Sequence, residues 1–454
     1  MSEVSKKITG TIEISPEITS QSQKEIKNVS DFKKKIENNL EKRVTEILEI
    51  ILGGAISLDA SDVHIESLEE GAKIRARIDG VLQDILLIDK KTYENILARI
   101  KLLSGIKFNI ADRPQDGRFS IIFDKTTVAE DSPRLPPRPA SLDSVIEVRS
   151  STLPAEYGES IVLRILNPKH LIDIETLGLR KDLLDVFKKE IKKPNGMIIV
   201  TGPTGSGKTT TLYAFLKKIQ KPDIKIITIE DPIEYHLKGI SQTQAAPEKG
   251  YNFANGLRAI VRQDPDVILV GEIRDLETAS IALQAALTGH LVLTTLHTND
   301  ASGTVVRLQA LGEKPANIAP AINMAVAQRL ARKVCPKCVK LKNPSVEEMT
   351  KLKKALKGIT KRVKILEIGK KTKIPQIVGC KDCNSTGFKG RLGIFETFLI
   401  DGEMEKFILS SPSIASLKEK AIQNGMITMY QDGIIKVLEG STTLEEIERV
   451  AGEE

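Results

Sequence analysis

The sequence predicts an α/β protein. A mostly parallel sheet is covered by helices on both faces, with a smaller α+β region before it and a cysteine-bearing segment and helices after it. Three observations carry this reading. From Gly196 onward the apolar runs "MIIV", "KIITI", "DVILV" and "HLVLTTL" alternate with helical stretches, the pattern of a parallel sheet buried on both faces. The string "GPTGSGKTT" follows the first of these runs and opens a helix. All four cysteines of the chain fall in two CxxC pairs beyond the last run.

Taken in order, residues 1–35 are polar and expected to be a flexible segment. A first domain is expected over 36–168. It begins with a helix whose apolar residues recur at Val44, Ile47, Leu48, Ile51 and Leu52. Alternating strands then flank an Asp79-Gly80 turn, a hairpin signal. A helix over "KTYENILARIKLLSGI", a turn and strand over "FNIADRPQDGRFSIIF", and two strands within "VIEVRSSTLPAEYGESIVLRIL" complete it. The Pro- and Ser-rich stretch 129–144 reads as a surface loop inside this domain. A linker with one helix is expected over 169–190, the α/β core over 191–330, the cysteine subdomain over 331–395 and a helical subdomain over 396–454. In the last of these, Thr443 and Glu446 have capping-box spacing.

At 454 residues the chain exceeds one ordinary core. No apolar run reaches the roughly 20 residues that span a bilayer, and the start has no signal-peptide core, so a cytoplasmic protein is expected. The net charge of +7 is mild, with much of the excess in residues 351–373. That stretch contains no aromatic residue on which bases could stack, so a solvated basic insertion is favoured over a nucleic-acid patch, with an anionic membrane surface as a third reading.

The motif GxxxxGK[ST] is complete in Gly202, Pro203, Thr204, Gly205, Ser206, Gly207, Lys208, Thr209 and Thr210. Its glycines let backbone N–H groups converge on phosphate oxygens, and the following helix adds a favourable dipole. Lys208 is expected on the β/γ-phosphates and Thr209 on Mg²⁺. Glu230 and Asp231 end one predicted strand and Glu272 another, all at the edge where parallel sheets bind ligands. His290 and His297 bracket the next strand, and both are candidate phosphate sensors, His297 at its end. Cys335, Cys338, Cys380 and Cys383 form one candidate tetrahedral zinc site. With no histidine or carboxylate to complete an open site, the metal is expected to be structural. The 41 residues between the pairs are long for a compact ribbon, so the basic insertion is expected to loop out. Arg149 and Arg164 sit among alternating apolar residues, which places both cations on the polar face of strands.

These stretches together resemble the secretion ATPases of type II secretion and type IV pilus assembly. The resemblance runs over roughly residues 40–450 and includes "SDVHIE", "DRPQDGR", "IITIEDPIEYHLKGISQTQ", "VRQDPDVILVGEIRD", "GHLVLTTLHTND" and "GCKDCNSTGFKGRLGIFE". It implies a PAS-like N-terminal domain hinged to a RecA-like core, ATP and Mg²⁺ as ligands, and assembly into a homo-hexamer. It also implies that Arg149 and Arg164 contact phosphate, that Glu230 activates water, that Glu272 acts on Mg²⁺, and that His290 and His297 form the histidine pair. The implied partners are an inner-membrane platform protein and an adaptor, with the protein peripheral to the inner face of the membrane. The cysteines resemble the assembly or secretion branch rather than the retraction branch. A large N-terminal docking domain is not recognisable before residue 40. A RecA-like nucleic-acid translocase is the rival expectation, and a non-hydrolysing scaffold a weaker one.

Overall fold

Two sheets organise the chain, each with its own core. The computed structural model describes residues 10–123, 145–359, 363, 368–369 and 371–452. The expected loop at 129–144 and most of the central part of the basic stretch lie outside these residues. The chain divides into two units, Met1–Lys169 with Gly379–Gly387, and His170–Val378 with Phe388–Glu454.

The first unit begins with β1 (Thr11–Ile14), α1 (Pro16–Glu25), α2 (Val29–Glu37) and α3 (Val44–Ser57). Then come β2 (Asp62–Leu68), β3 (Gly71–Ile78), β4 (Val81–Asp89), α4 (Lys90–Ser104), β5 (Gln115–Phe123), β6 (Val145–Ala155) and β7 (Gly158–Leu166). The sheet order is β1-β5-β6-β7-β2-β3-β4; β1 runs parallel to β5 and the other neighbours are antiparallel. One face carries Val63, Ile65, Ile74, Ala76, Phe119, Ile121, Val148, Leu163 and Ile165, all buried with the apolar residues of α3 and α4. Period-two alternation therefore turns Asp62, His64, Arg118, Arg149 and Arg164 to the other face.

Of the flexible segment expected over 1–35, residues 10–35 are built into this architecture, and 1–9 lie outside the described residues. Ile12, Ile14, Ile26 and Phe32 are buried in the core, with Ser15 and Asn28 capping α1 and α2. Residues 10–35 are held there because β1 completes an edge of the sheet, a long-range pairing that local polarity does not announce. Gly54 in α3 belongs to the same arrangement. A Cβ there would lie 2.2 Å from the Phe32 ring, so the mid-helix glycine marks where α2 presses on α3.

The second unit contains α5 (Lys181–Glu190), β8 (Gly196–Thr201), α6 (Lys208–Ile219), β9 (Ile226–Glu230), β10 (Ser241–Gln244), α7 (Phe253–Val261) and β11 (Val267–Val270). It continues through α8 (Leu276–Leu287), β12 (Leu291–Leu296), α9 (Gly303–Leu311), α10 (Pro315–Ile318), β13 (Ile322–Val334), β14 (Lys340–Lys342), α11 (Val346–Ala355), β15 (Ile374–Gln376) and β16 (Phe388–Leu399). The helices α12 (Gly402–Leu409), α13 (Ile414–Gln423), α14 (Met429–Leu438) and α15 (Leu444–Ala451) end it. The main sheet has the order β10-β9-β11-β12-β8-β13-β16, parallel except for β16.

Two expected boundaries move. The helix placed in the linker, α5, belongs to the core: Phe187 packs edge-on against Phe215 and Phe395 at centroid distances of 5.4 and 6.2 Å. The cysteine segment is not a separate block from 331, because β13 and β16 at its two ends are strands of the main sheet. Val334 pairs with Phe388, so the chain leaves and re-enters the sheet at one place.

Candidate nucleotide site and cysteine cluster

The phosphate-loop sequence lies between the C-terminal end of β8 and the N-terminus of α6, at the carboxyl edge of the parallel strands. Gly202, Gly205 and Gly207 all have positive φ, at 140°, 78° and 89°. Two of them are also pressed on β13. A Cβ at Gly202 would lie 2.4 Å from the Gln328 carbonyl oxygen, and one at Gly207 would lie 2.9 Å from its Nε2. Gln328 is buried and its Oε1 accepts the Thr211 hydroxyl at 2.6 Å, so it fixes both loop and helix. Nothing in its own surroundings in the sequence, "VAQRL", marks that role. Lys208 Nζ donates to the carbonyls of Gly202 (2.8 Å) and Pro203 (3.2 Å), which places the ammonium inside the loop. Burial lowers its pKa, and the charges of Glu272 and Glu234 oppose that shift.

Those two carboxylates differ from the pair expected. Glu272 follows β11, with Arg274 Nη2 2.5 Å and His297 Nε2 3.4 Å from its two oxygens. The Gly271 before it has a physical reason: a Cβ would lie 3.3 Å from both the Glu230 Cα and the Ile229 carbonyl. An aspartate at 271 would crowd β9, and the acid sits one residue later.

Glu230, expected on the attacking water, is turned inward instead. It is 4% exposed. Its carboxylate accepts the Tyr213 hydroxyl, the Thr228 hydroxyl (2.6 Å) and the Gln242 amide (3.2 Å). Burial raises its pKa against those three donors, while burial and then the Glu230 charge push the Tyr213 phenol up. Gln242 also donates to the Tyr235 carbonyl at 3.0 Å and accepts the Leu237 N–H at 2.7 Å. This network secures the loop that follows β9, and that loop carries Glu234. In the sequence Glu234 is visible in "EDPIEY", four residues beyond Glu230.

The two histidines part company. Because β12 runs parallel to β8, His297 emerges at the same edge as the phosphate loop. Its neighbour Thr298 is tied to the end of β8, its N–H donating to the Thr201 hydroxyl at 2.8 Å. His290 lies at the opposite end of β12, roughly 20 Å away at the rise of an extended strand. Its Nδ1 is 3.0 Å from the Ala285 carbonyl, a structural contact at the end of α8, so its expected sensor role is not supported within this chain.

In the first unit the two expected arginines are direct cross-strand partners. Arg118, Arg149, Arg164, Asp62 and Arg77 occupy one row across β5, β6, β7, β2 and β3. Arg118 and Arg77 were not anticipated, although Arg118 closes the quoted "DRPQDGR".

The four cysteines converge, with all their Sγ atoms within 4.8 Å of one another. The Val334–Phe388 pairing explains this, since Cys335 follows one partner and Cys383 precedes the other by five residues. Cys380 and Cys383 Sγ are 3.7 Å apart, far beyond a disulfide and close to the about 3.8 Å edge of a tetrahedron with 2.3 Å metal–sulfur bonds. The backbone N–H groups of Cys380 (3.2 Å) and Gly387 (3.3 Å) donate to Cys383 Sγ, as suits a thiolate. The donor set fits a tetrahedral thiophilic ion.

A phosphate loop with its lysine folded inside and a strand-end acid at the same edge of a parallel sheet define a P-loop nucleoside-triphosphatase core. The family model described as "Type II/IV secretion system protein" matches residues 37–449. The type II secretion system protein E of Aeromonas hydrophila is 41% identical over 90% of this chain and 76% of its own length. The type IV pilus assembly ATPase PilB of Myxococcus xanthus is 40% identical over 89% of this chain and 67% of its own. PilB of Thermus thermophilus is 40% identical over 90% of this chain but only 43% of its own length. Among solved structures, the pilus retraction motor PilT with bound ADP aligns with TM-score 0.55 and 26% identity, over 88% of this chain and 95% of that one. The ATPase DotB of Legionella pneumophila aligns with TM-score 0.61 and 23% identity, over 89% and 95%, a likeness of fold. The chain belongs to the type II/IV secretion system family and is one of its ATPases. Among the described residues no helix is long and apolar enough to cross a membrane.

Proposed function

We infer that this ATPase is the motor of a type IV pilus assembly or type II secretion machine, working as a homo-hexamer against an inner-membrane platform protein and its adaptor at the cytoplasmic face. The observation that carries this is identity of about two residues in five to ATPases of both machines over nine-tenths of the chain.

Lys208 and the backbone N–H groups of the 202–210 loop, Pro203 excepted, bind the ATP phosphates. Thr209 and Glu272 would hold Mg²⁺, which neutralises phosphate charge when bound. Glu272 and Glu234, the carboxylates whose charges bear on Lys208, divide the metal and the water between them; Glu230 positions the loop of Glu234. His297, with its Nε2 3.4 Å from a Glu272 oxygen, reports on the phosphate, and Arg149 and Arg164 stabilise charge in transfer. The four cysteines hold a structural Zn²⁺.

Purified protein should hydrolyse ATP without stimulation by DNA, and deletion of the gene should abolish pili or secretion while Lys208→Ala fails to restore them. Turnover that requires DNA and collapses with salt would replace this reading with a translocase. Binding of ATP without any turnover would replace it with a scaffold.

A further inference from the structure

We propose that Asp62 is a positioning residue for catalysis: a buried carboxylate that grips Arg164 by its Nε and so aims the outer face of the guanidinium at phosphate. This rests on the assignment of Arg164 as a phosphate contact.

The side chain of Asp62 is 7% exposed, whereas that of Arg164 is 54% exposed. The Oδ1 of Asp62 accepts Arg164 Nε–H at 3.0 Å. Its Oδ2 accepts the Ser61 hydroxyl at 2.8 Å and lies 3.4 Å from Arg77 Nε. Both carboxylate oxygens are therefore committed, and the grip falls on the stem side of each guanidinium. Arg77 spends Nη1 on the Gly80 carbonyl at 3.3 Å, which closes that side of the group. Among the described residues the Arg164 side chain makes no hydrogen bond other than the one from Nε, which leaves both of its Nη groups, four N–H donors in one plane, uncommitted on a half-exposed side chain.

Geometry and charge act together here. Arg149 and Arg164 are paired directly across β6 and β7, and like charges so placed repel. Asp62, next in the row, draws Arg164 toward β2 and fixes its plane before any phosphate arrives. A guanidinium held by its Nε has already lost most of its rotamer freedom, so less entropy is lost when its outer donors engage a ligand. A loose arginine of the same charge would attract phosphate but would not be aimed.

The test is a cycle of four proteins in the full-length chain: unmodified, Asp62→Asn, Arg164→Ala and the double variant. Each is assayed for kcat and KM for ATP, with a thermal melt as the folding control. Asp62→Asn should lower kcat at least 10-fold with KM for ATP changed less than threefold, and should add less than a further twofold in the Arg164→Ala background. Asp62→Glu, which keeps the charge but lengthens the arm, should recover only part of the rate. The proposal is overturned if Asp62→Asn turns over normally, or if it lowers kcat equally with and without Arg164. A normal kcat in Arg164→Ala alone defeats the parent assignment instead, whatever Asp62 does. Should Asp62→Asn fold poorly, Ser61→Ala, which removes one bond to the same carboxylate, gives the second reading. It should lower kcat by less than Asp62→Asn and have no effect once Arg164 is absent; an equal effect in both backgrounds overturns the proposal.

Discussion

Glu230 and Glu234 stand four residues apart, yet their surroundings give them different work. A carboxylate that accepts three hydrogen bonds and is almost fully buried has few lone pairs left for a water. Glu234→Gln and Glu272→Gln should each lower kcat by roughly 100-fold or more with ATP binding retained, a loss on the scale of a general base or charge stabiliser. Glu230→Gln should instead lower thermal stability and slow turnover less, as scored by melts and nucleotide-binding isotherms beside the rates. Lys208→Ala should abolish turnover outright. At this scale the sequence shows placement wherever chemistry demands a residue type at a fixed spacing: Gly202 to Thr210 before a helix, Glu272 at a strand end, and the four cysteines in one cluster. It does not show which way a side chain turns at a strand end, as for the buried Glu230, or at which end of β12 the phosphate loop lies, as for His290.

At the scale of elements, α15 is tied to β13 through one carboxylate. Glu446 is 2% exposed. It accepts the Arg332 N–H at 2.9 Å and pairs with the guanidinium groups of Arg332 and Arg449 at 2.6 Å each. Burial alone would raise its pKa, but the hydrogen bonds from Arg449 and Arg332 outweigh it and hold the group at about 2. A folded pKa below the usual 4.5 means that the pair contributes its full stability above about pH 4.5 and loses it as pH falls toward 2. Glu446→Gln should therefore cost roughly 1–3 kcal/mol at pH 7 and progressively less at pH 4 and pH 3, measured by denaturant melts at each pH. The sequence showed Thr443 and Glu446 as a possible capping box. It could not show that Glu446 serves a strand more than a hundred residues earlier, because long-range pairing leaves no local periodicity. The same limit hid β1 and α2, whose partners lie on β5 and α3.

At the scale of the molecule, the first unit depends on its N-terminal segment. Deleting residues 1–40 removes Ile12, Ile14, Ile26, Phe32 and Ile36 from the core and bares the edge of β5. Each such side chain is worth about 1.5–3 kcal/mol when fully buried. The truncated protein should melt well below the full chain and aggregate on size-exclusion chromatography, an outcome opposite to that for a flexible tail. Chelation, or Cys383→Ser, should lower the melting temperature with loss of one zinc per chain by atomic absorption, and should leave Lys208 and Glu272 in place.

The adjacency of Val334 and Phe388 has one more consequence. The sheet registers where the chain departs and returns, but not how far it travels in between, and the entropy of closing a loop grows only slowly with its length. At Gly358, just beyond α11, a Cβ would meet nothing within 4 Å, so added sequence there need not disturb the pairing of β13 with β16. A short epitope or fluorogenic tag inserted after Gly358 should leave both turnover and melting temperature within a few per cent of the parent, giving a handle for following the motor in living cells.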